Sequence, residues 1–157
     1  MTNKEVIENF YNAFQKLDSK SMNACLAEDV LFEDPAFGKL QGEEVKYMWQ
    51  FLTENAKDFS VSFSVEEAKK NLVKAHWKAQ YTFSATGNTV INEVSSRFEI
   101  ENGFIIKHQD DFDLKKWLKQ AMGSAAGFFG GSFLMKNAVQ KQSKTLLKKY
   151  QKKNALK

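Results

Sequence analysis

The sequence predicts an α+β domain in which three amino-terminal helices cover one face of a curved, antiparallel or mixed β-sheet, with a C-terminal helical extension beyond it. Three observations carry this. Apolar residues recur every three to four positions up to about residue 56, then every second position from Phe59 to Phe112, which is the change from helical to strand periodicity. The only proline, Pro35, follows a hydrophobic strand, Val30-Leu31-Phe32, and Glu33-Asp34. The last acidic residue is Asp113, and eleven lysines lie beyond it, so the extension differs in character from the body.

Thr2 and Glu5 have capping-box spacing and start a helix, with Val6, Phe10, Phe14 and Leu17 on one face and Ile7 and Tyr11 widening it. Asp18 and Ser19 end it and cap a shorter helix carrying Met22, Cys25 and Leu26. The Val30–Glu33 strand leads into a turn-rich stretch over residues 35–42, and Val45, Met48, Trp49, Leu52 and Ala56 mark a third helix. Phe59, Val61, Phe63 and Val65 form a half-buried strand. In the next strand Trp77, Ala79, Tyr81, Phe83 and Ala85 share a face opposite His76, Lys78, Gln80, Thr82 and Ser84, and Thr86-Gly87-Asn88 turns it. A third strand covers roughly residues 89–100. Asn102-Gly103 reads as a hairpin turn, since both residues tolerate positive φ, and a fourth strand runs from Phe104 to Phe112. A helix with Trp117, Leu118, Ala121 and Met122 follows and stops at Gly123. Residues 123–157 then read as a glycine- and phenylalanine-containing hinge and a basic amphipathic helix, from Ser132 to about Lys153, that packs on the 1–122 domain or on a partner.

With 157 residues, 43% of them hydrophobic and 14 of them Phe, the chain can fill one sizeable core. It has no apolar run long enough to span a bilayer, and its first residues lack the pattern of a secretion signal. One cysteine and two histidines give neither an internal disulfide nor a metal-ligand cluster. The expectation is a cytoplasmic protein with no metal and no cofactor. Residues 1–113 hold twelve Lys and Arg against nineteen Asp and Glu, so an acidic body carries a basic tail. The tail is read as a solvated helix face against the body or a partner. Contact with an anionic membrane surface is the alternative, and nucleic acid is not expected as a partner.

Asp34 is the residue to explain. A residue before proline is held in extended backbone, which fixes the direction of its carboxylate. Pointing into an apolar cavity, it would have a raised pKa and could act as a general base. Pointing into water, it would be a turn residue. On the fourth strand, period two places Ile106, His108, Asp110 and Phe112 on one face and Lys107, Gln109, Asp111 and Asp113 on the other. Ionisable groups on an inner face need partners, so His108 and Asp110 form either a structural pair or a functional one. On the third strand Asn92, Val94, Ser96 and Phe98 alternate with charged neighbours. If the sheet curls around a cavity, Trp77, Tyr81, Asn92, Val94, Phe98, Phe112, His108 and Asp110 line it, with Phe10 and Phe14 closing it. That is the composition of a small-molecule site.

This order of elements, with Glu33-Asp34-Pro35 and the motif from Asn102-Gly103 through His108-Gln109-Asp110-Asp111-Phe112-Asp113-Leu114, resembles the nuclear-transport-factor-2-like superfamily over roughly residues 2–122, in its ketosteroid-isomerase-like and SnoaL-like branch. The resemblance implies a cone-shaped sheet (a cystatin-like α+β barrel) with a ligand at its open end and a homodimer through the outer sheet face. It also implies a proton-shuttling base at Asp34. The Tyr and protonated Asp of the ketosteroid-isomerase oxyanion hole fall at Phe10 and Val94, which cannot donate. The motif is also similar to that of limonene-epoxide hydrolases, with their acid at Asp110, but Trp77 and Ala79 occupy the places of the Arg and Asp that activate water. SnoaL-like cyclases carry an acid–base aspartate in a place similar to Asp110. The expectation is a pocket for a small hydrophobic, carbonyl-containing molecule. It would serve either a cofactor-free isomerase or cyclase, with Asp34 as base and Asp110 or His108 as partner, or a non-catalytic protein that binds a lipid-like ligand.

Overall fold

The computed structural model describes residues 1–123 and 133–155. Helix α1 (Asn3–Gln15) begins at the predicted capping box, with Thr2 accepting from the Glu5 amide and the Glu5 side chain returning the bond. It buries Val6, Ile7, Phe10, Tyr11 and Phe14. Leu17 is not part of this face, because the helix has already ended and Leu17 takes a left-handed conformation (φ 54°). Helix α2 (Ser19–Ala24) is capped by Asp18 and buries Met22, and α3 (Glu43–Glu54) buries Val45, Met48 and Trp49. Ala56 lies past the end of α3.

Six strands form one mixed sheet in the order β2-β1-β6-β5-β4-β3, comprising β1 (Leu26–Asp34), β2 (Gly38–Gln41), β3 (Ser60–Val65), β4 (Leu72–Thr82), β5 (Thr89–Glu101) and β6 (Phe104–Asp111). The β1–β6 pair is parallel and the others are antiparallel. Helices α1–α3 pack on its inner face, where Phe10 meets Trp49, Phe98 and His108 edge-on at 5.3–6.3 Å between ring centres, a favoured aromatic geometry.

Four strand expectations are corrected. β1 starts at Leu26, and its irregular first half hides the period. The stretch read as turns contains β2, which is short because it only has to pair with the end of β1. β4 begins at Leu72 and ends at Thr82, so Phe83 and Ala85 belong to the following loop rather than to the strand. On β6 the core residue next to the hairpin is Ile105, not Ile106. Glu99 pairs with Lys107 and Ile100 with Ile105, so Ile106 is an extra residue in a bulge that slips the alternation by one. The Asn102-Gly103 turn itself has positive φ at both residues, 52° and 82°.

Helix α4 (Leu114–Met122), capped by Asp113, hooks onto the β4–β5 hairpin: the Ala121 carbonyl accepts from Thr86 and Asn88, and Gln120 bonds both backbone groups of Ile91. Met122, expected on its apolar face, is exposed. Helix α5 (Phe133–Ala155) lies against α3. Leu147 is buried, Tyr150 packs edge-on against Phe51, and its hydroxyl donates to Glu54 at 2.6 Å. Phe133 and Leu134 stay exposed. The hinge expected after Gly123 lies outside the described residues. If α5 is integral to the domain, Leu147→Ala costs about 2 kcal/mol, read as a lowered midpoint in thermal unfolding. An unchanged midpoint would mean that α5 adds nothing to stability.

Candidate active site

The end of β1 aims Asp34 into a cavity of about 400 Å³ between the open end of the sheet and α3. The backbone turns at Pro35, and the amides of Ala36 (2.9 Å) and Phe37 (2.5 Å) donate to Asp34 Oδ1. This fixes the carboxylate as an Asx-type turn. Burial raises its pKa to about 7. The Phe37 amide bond opposes that rise, and the negative charge of nearby Asp110 adds to it. Asp34 therefore closes a turn, yet it faces an apolar cavity rather than water.

Asp110 opens on the same cavity from β6. It is the acceptor at the end of a buried chain of donors. The Tyr11 hydroxyl (3.0 Å) and Trp77 Nε1 (2.9 Å) donate to Ser96 Oγ, which donates to Asp110 Oδ1 at 2.5 Å. His108 Nε2 lies 2.7 Å from the same oxygen. Ser96 is placed opposite Asp110 by the β5–β6 register, and Phe98 opposite His108. Such networks hold a buried carboxylate in one geometry; the other ring nitrogen of His108, Nδ1, is buried without a hydrogen-bond partner.

Among the residues expected to line the cavity, Phe14, Trp77, Tyr81, Asn92 and Phe112 do so, as do Asp34 and Asp110. Phe10, Val94, Phe98 and His108 do not. All four are buried: Phe10 reaches from α1 onto Phe98 and His108, and Val94 sits on β5 opposite Trp77. His108 is enclosed by Phe98 at 4.2 Å, by Trp49 stacked at 5.7 Å, and by Phe10 and Phe32 edge-on. It can act on the cavity only through Asp110. The donors missing at Phe10 and Val94 are thus not missing from the cavity wall, since neither position reaches it.

Ser96 and Tyr11 join the candidate residues only in the structure. Both had a signal: Ser96 is a small polar residue on the inner face of its strand, and Tyr11 puts a hydroxyl on the apolar face of α1. Trp117, expected as a core position of its helix, has a polar role as well. It donates through Nε1 to the Tyr81 hydroxyl at 2.6 Å. That leaves the Tyr81 O–H proton free to donate into the cavity its side chain lines. Asp34, Asp110, Tyr81 and Asn92 are polar side chains of this largely apolar wall, to which Asn55, Thr82 and Ser84 also belong.

Away from the cavity, His76 lies exposed on the outer sheet face between Ser95 and Glu66. Cys25 caps the end of α2 with its thiol pKa raised by burial. Among the described residues no cluster of three or more His, Cys, Asp or Glu could hold a metal ion, and no helix is long and apolar enough to cross a membrane.

Comparison with known proteins fits this geometry. A model of the SnoaL-like domain matches residues 7–108, and no curated protein matches the sequence. Among solved structures the chain is similar to a candidate polyketide cyclase from Pseudomonas putida KT2440 (TM-score 0.67, 22% identity, covering 76% of this chain and 98% of that one). It is similar to an LEH-like epoxide hydrolase from M. tuberculosis (TM-score 0.61, 19% identity, 83% and 96%). It is also similar to a protein with a ketosteroid isomerase-like fold from Catenulispora acidiphila DSM 44928, in complex with trimethylamine (TM-score 0.67, 16% identity, 79% and 97%). At these identities the structures share the fold, and the domain match over 7–108 identifies the chain as a member of the SnoaL-like family.

Proposed function

We propose that the cavity binds a small hydrophobic carbonyl compound and that Asp34 moves a proton on it without a cofactor. The observation that carries this reading is the pairing of two carboxylates, Asp34 and Asp110, on one apolar cavity, with Asp34 raised to about 7. A base with that pKa is half ionised at neutral pH and still basic enough to accept a proton from carbon. In the reaction Asp34 takes a proton from a carbon next to the carbonyl, and the electron pair moves onto the carbonyl oxygen. The Tyr81 hydroxyl, held by Trp117, donates a hydrogen bond to that oxygen. Where a C=C bond is conjugated with the enolate, the resulting dienolate takes the proton back from Asp34 at its far carbon as the carbonyl re-forms, an isomerisation. Alternatively the enolate carbon attacks a second carbonyl carbon of the same molecule, whose C=O π pair moves onto oxygen and takes the proton from Asp34, a cyclisation of the kind named for the candidate polyketide cyclases. Asp110 keeps Asp34 from ionising too easily and offers the ligand a second acceptor.

The same fold serves a second reading, a binding protein without chemistry. It is favoured by the amide bonds that already occupy Asp34 Oδ1. Native mass spectrometry of protein purified from its own host separates the two. Both readings expect an apolar molecule that Ala79→Trp displaces, since the new indole fills the cavity. Catalysis also expects the wild type, but not Asp34→Asn, to convert it with time. A protein that carries no such molecule and takes up no bicyclic ketone from solution sinks both readings.

A further inference from the structure

The family match ends at residue 108, yet α5 reaches the site at two places. Leu146 joins the wall of the apolar cavity. One to two turns earlier, Gln140 Nε2 donates to the Pro35 carbonyl at 3.2 Å. Pro35 heads the turn whose next two amides hold Asp34 Oδ1. The helix seats closely there: a Cβ on Gly38 would come within 2.9 Å of Gln140 Oε1, so a larger residue at the start of β2 would push the Gln140 side chain aside. Gln140 and Lys136 also border a second, polar recess of about 220 Å³ that shares Asp34 and Asp110 with the cavity. The two carboxylates therefore stand between an apolar chamber and a polar one, and α5 forms part of both.

We propose that α5 is a working wall of the site, in which Gln140 positions Asp34 through the Pro35 carbonyl and Leu146 limits the size of ligand the mouth admits. This rests on the reading of the cavity as a ligand site, and the two can fail separately.

The test uses the full chain. The Phe37 amide donates to Asp34, so its proton shift in ¹H–¹⁵N spectra reports the ionisation of Asp34 directly. In Gln140→Ala the turn loses its anchor and the amide bonds that favour the carboxylate weaken, so the midpoint rises by about half a unit or more. In Gln140→Glu it rises further, because a negative charge enters the recess. The other charged groups of the recess, Glu33, Arg97, Asp110, Asp111 and Lys136, are unaltered in both variants. A merely structural glutamine would lower the unfolding temperature and leave the midpoint in place, which would overturn the positioning role.

For Leu146, the probe is the neutral fluorophore N-phenyl-1-naphthylamine. Leu146→Trp is expected to weaken its binding roughly tenfold, about 1.4 kcal/mol, and Leu146→Ala to leave it intact or tighten it. If Ala79→Trp abolishes binding while Leu146→Trp does not change it, the cavity reading stands and the role of Leu146 falls. If the wild type does not bind the probe, the role of Leu146 falls, the cavity reading falls with it only if a bicyclic ketone is not taken up either, and the Gln140 titrations still decide the positioning of Asp34.

Discussion

Asp34→Asn is expected to slow deuterium exchange at the α-carbon of a bicyclic ketone such as 2-tetralone by about 10²–10⁴-fold, the range for loss of a positioned general base. The amide oxygen of Asn can still accept from Ala36 and Phe37, so the turn survives and the loss reports chemistry rather than misfolding. In the wild type the exchange rate should climb with pH and level off above about 7, where Asp34 becomes ionised. An Asn variant that exchanges at the wild-type rate removes Asp34 from the mechanism. The same substitution has a second readout, because the folded-state pKa of Asp34 is raised from 3.8 to about 7. The folded protein then holds this proton more tightly than the unfolded chain does. The stabilisation from the protonated carboxyl is complete below pH 3.8 and is lost as pH rises through about 7. The loss is on the order of 4 kcal/mol at most. Urea unfolding should show stability falling over that window in the wild type, and Asp34→Asn should remove this contribution.

How far the sequence led is clearest at particular residues. Periodicity was sufficient for α1, α3 and the long strands, because a half-buried strand and a one-sided helix each repeat along many residues. It failed where a single residue breaks the repeat. The bulge at Ile106 and the irregular first half of β1 leave no local mark that alternation can detect. The candidate carboxylates were legible because each has a local constraint, a following proline for Asp34 and an apolar-flanked inner face for Asp110. The boundary between cavity and core was not. Phe10, Phe98 and Val94 share faces with true lining residues, and what keeps them off the wall is tertiary packing, such as Phe10 of α1 against Phe98 of β5. The Ser96 bridge joins α1, β4, β5 and β6 through residues up to 85 positions apart, a separation that no sequence window spans.

Asp110 separates a structural role from an electrostatic one, and two substitutions read them apart. Asp110→Ala removes the acceptor for both Ser96 Oγ and His108 Nε2, in a place where His108 and Ser96 are each 1% exposed. Two buried donors without acceptors cost about 1–3 kcal/mol each. The expected destabilisation of about 3 kcal/mol corresponds to a fall of roughly 10 °C in unfolding temperature for a chain of this size. Asp110→Asn keeps an oxygen at the same place, so the network persists and the destabilisation should be much smaller. Its effect is electrostatic, since the charge that helps to raise the Asp34 pKa is gone. The Asp34 midpoint, read through the Phe37 amide, should therefore move below about 7, and the rise of the exchange rate should move to lower pH with it. The plateau rate should also fall, because a less basic carboxylate is a weaker base. If Asp110→Asn leaves the midpoint in place, the two carboxylates do not act on each other. If Asp110→Ala leaves the unfolding temperature unchanged, the chain of donors from Tyr11 and Trp77 through Ser96 does not depend on Asp110.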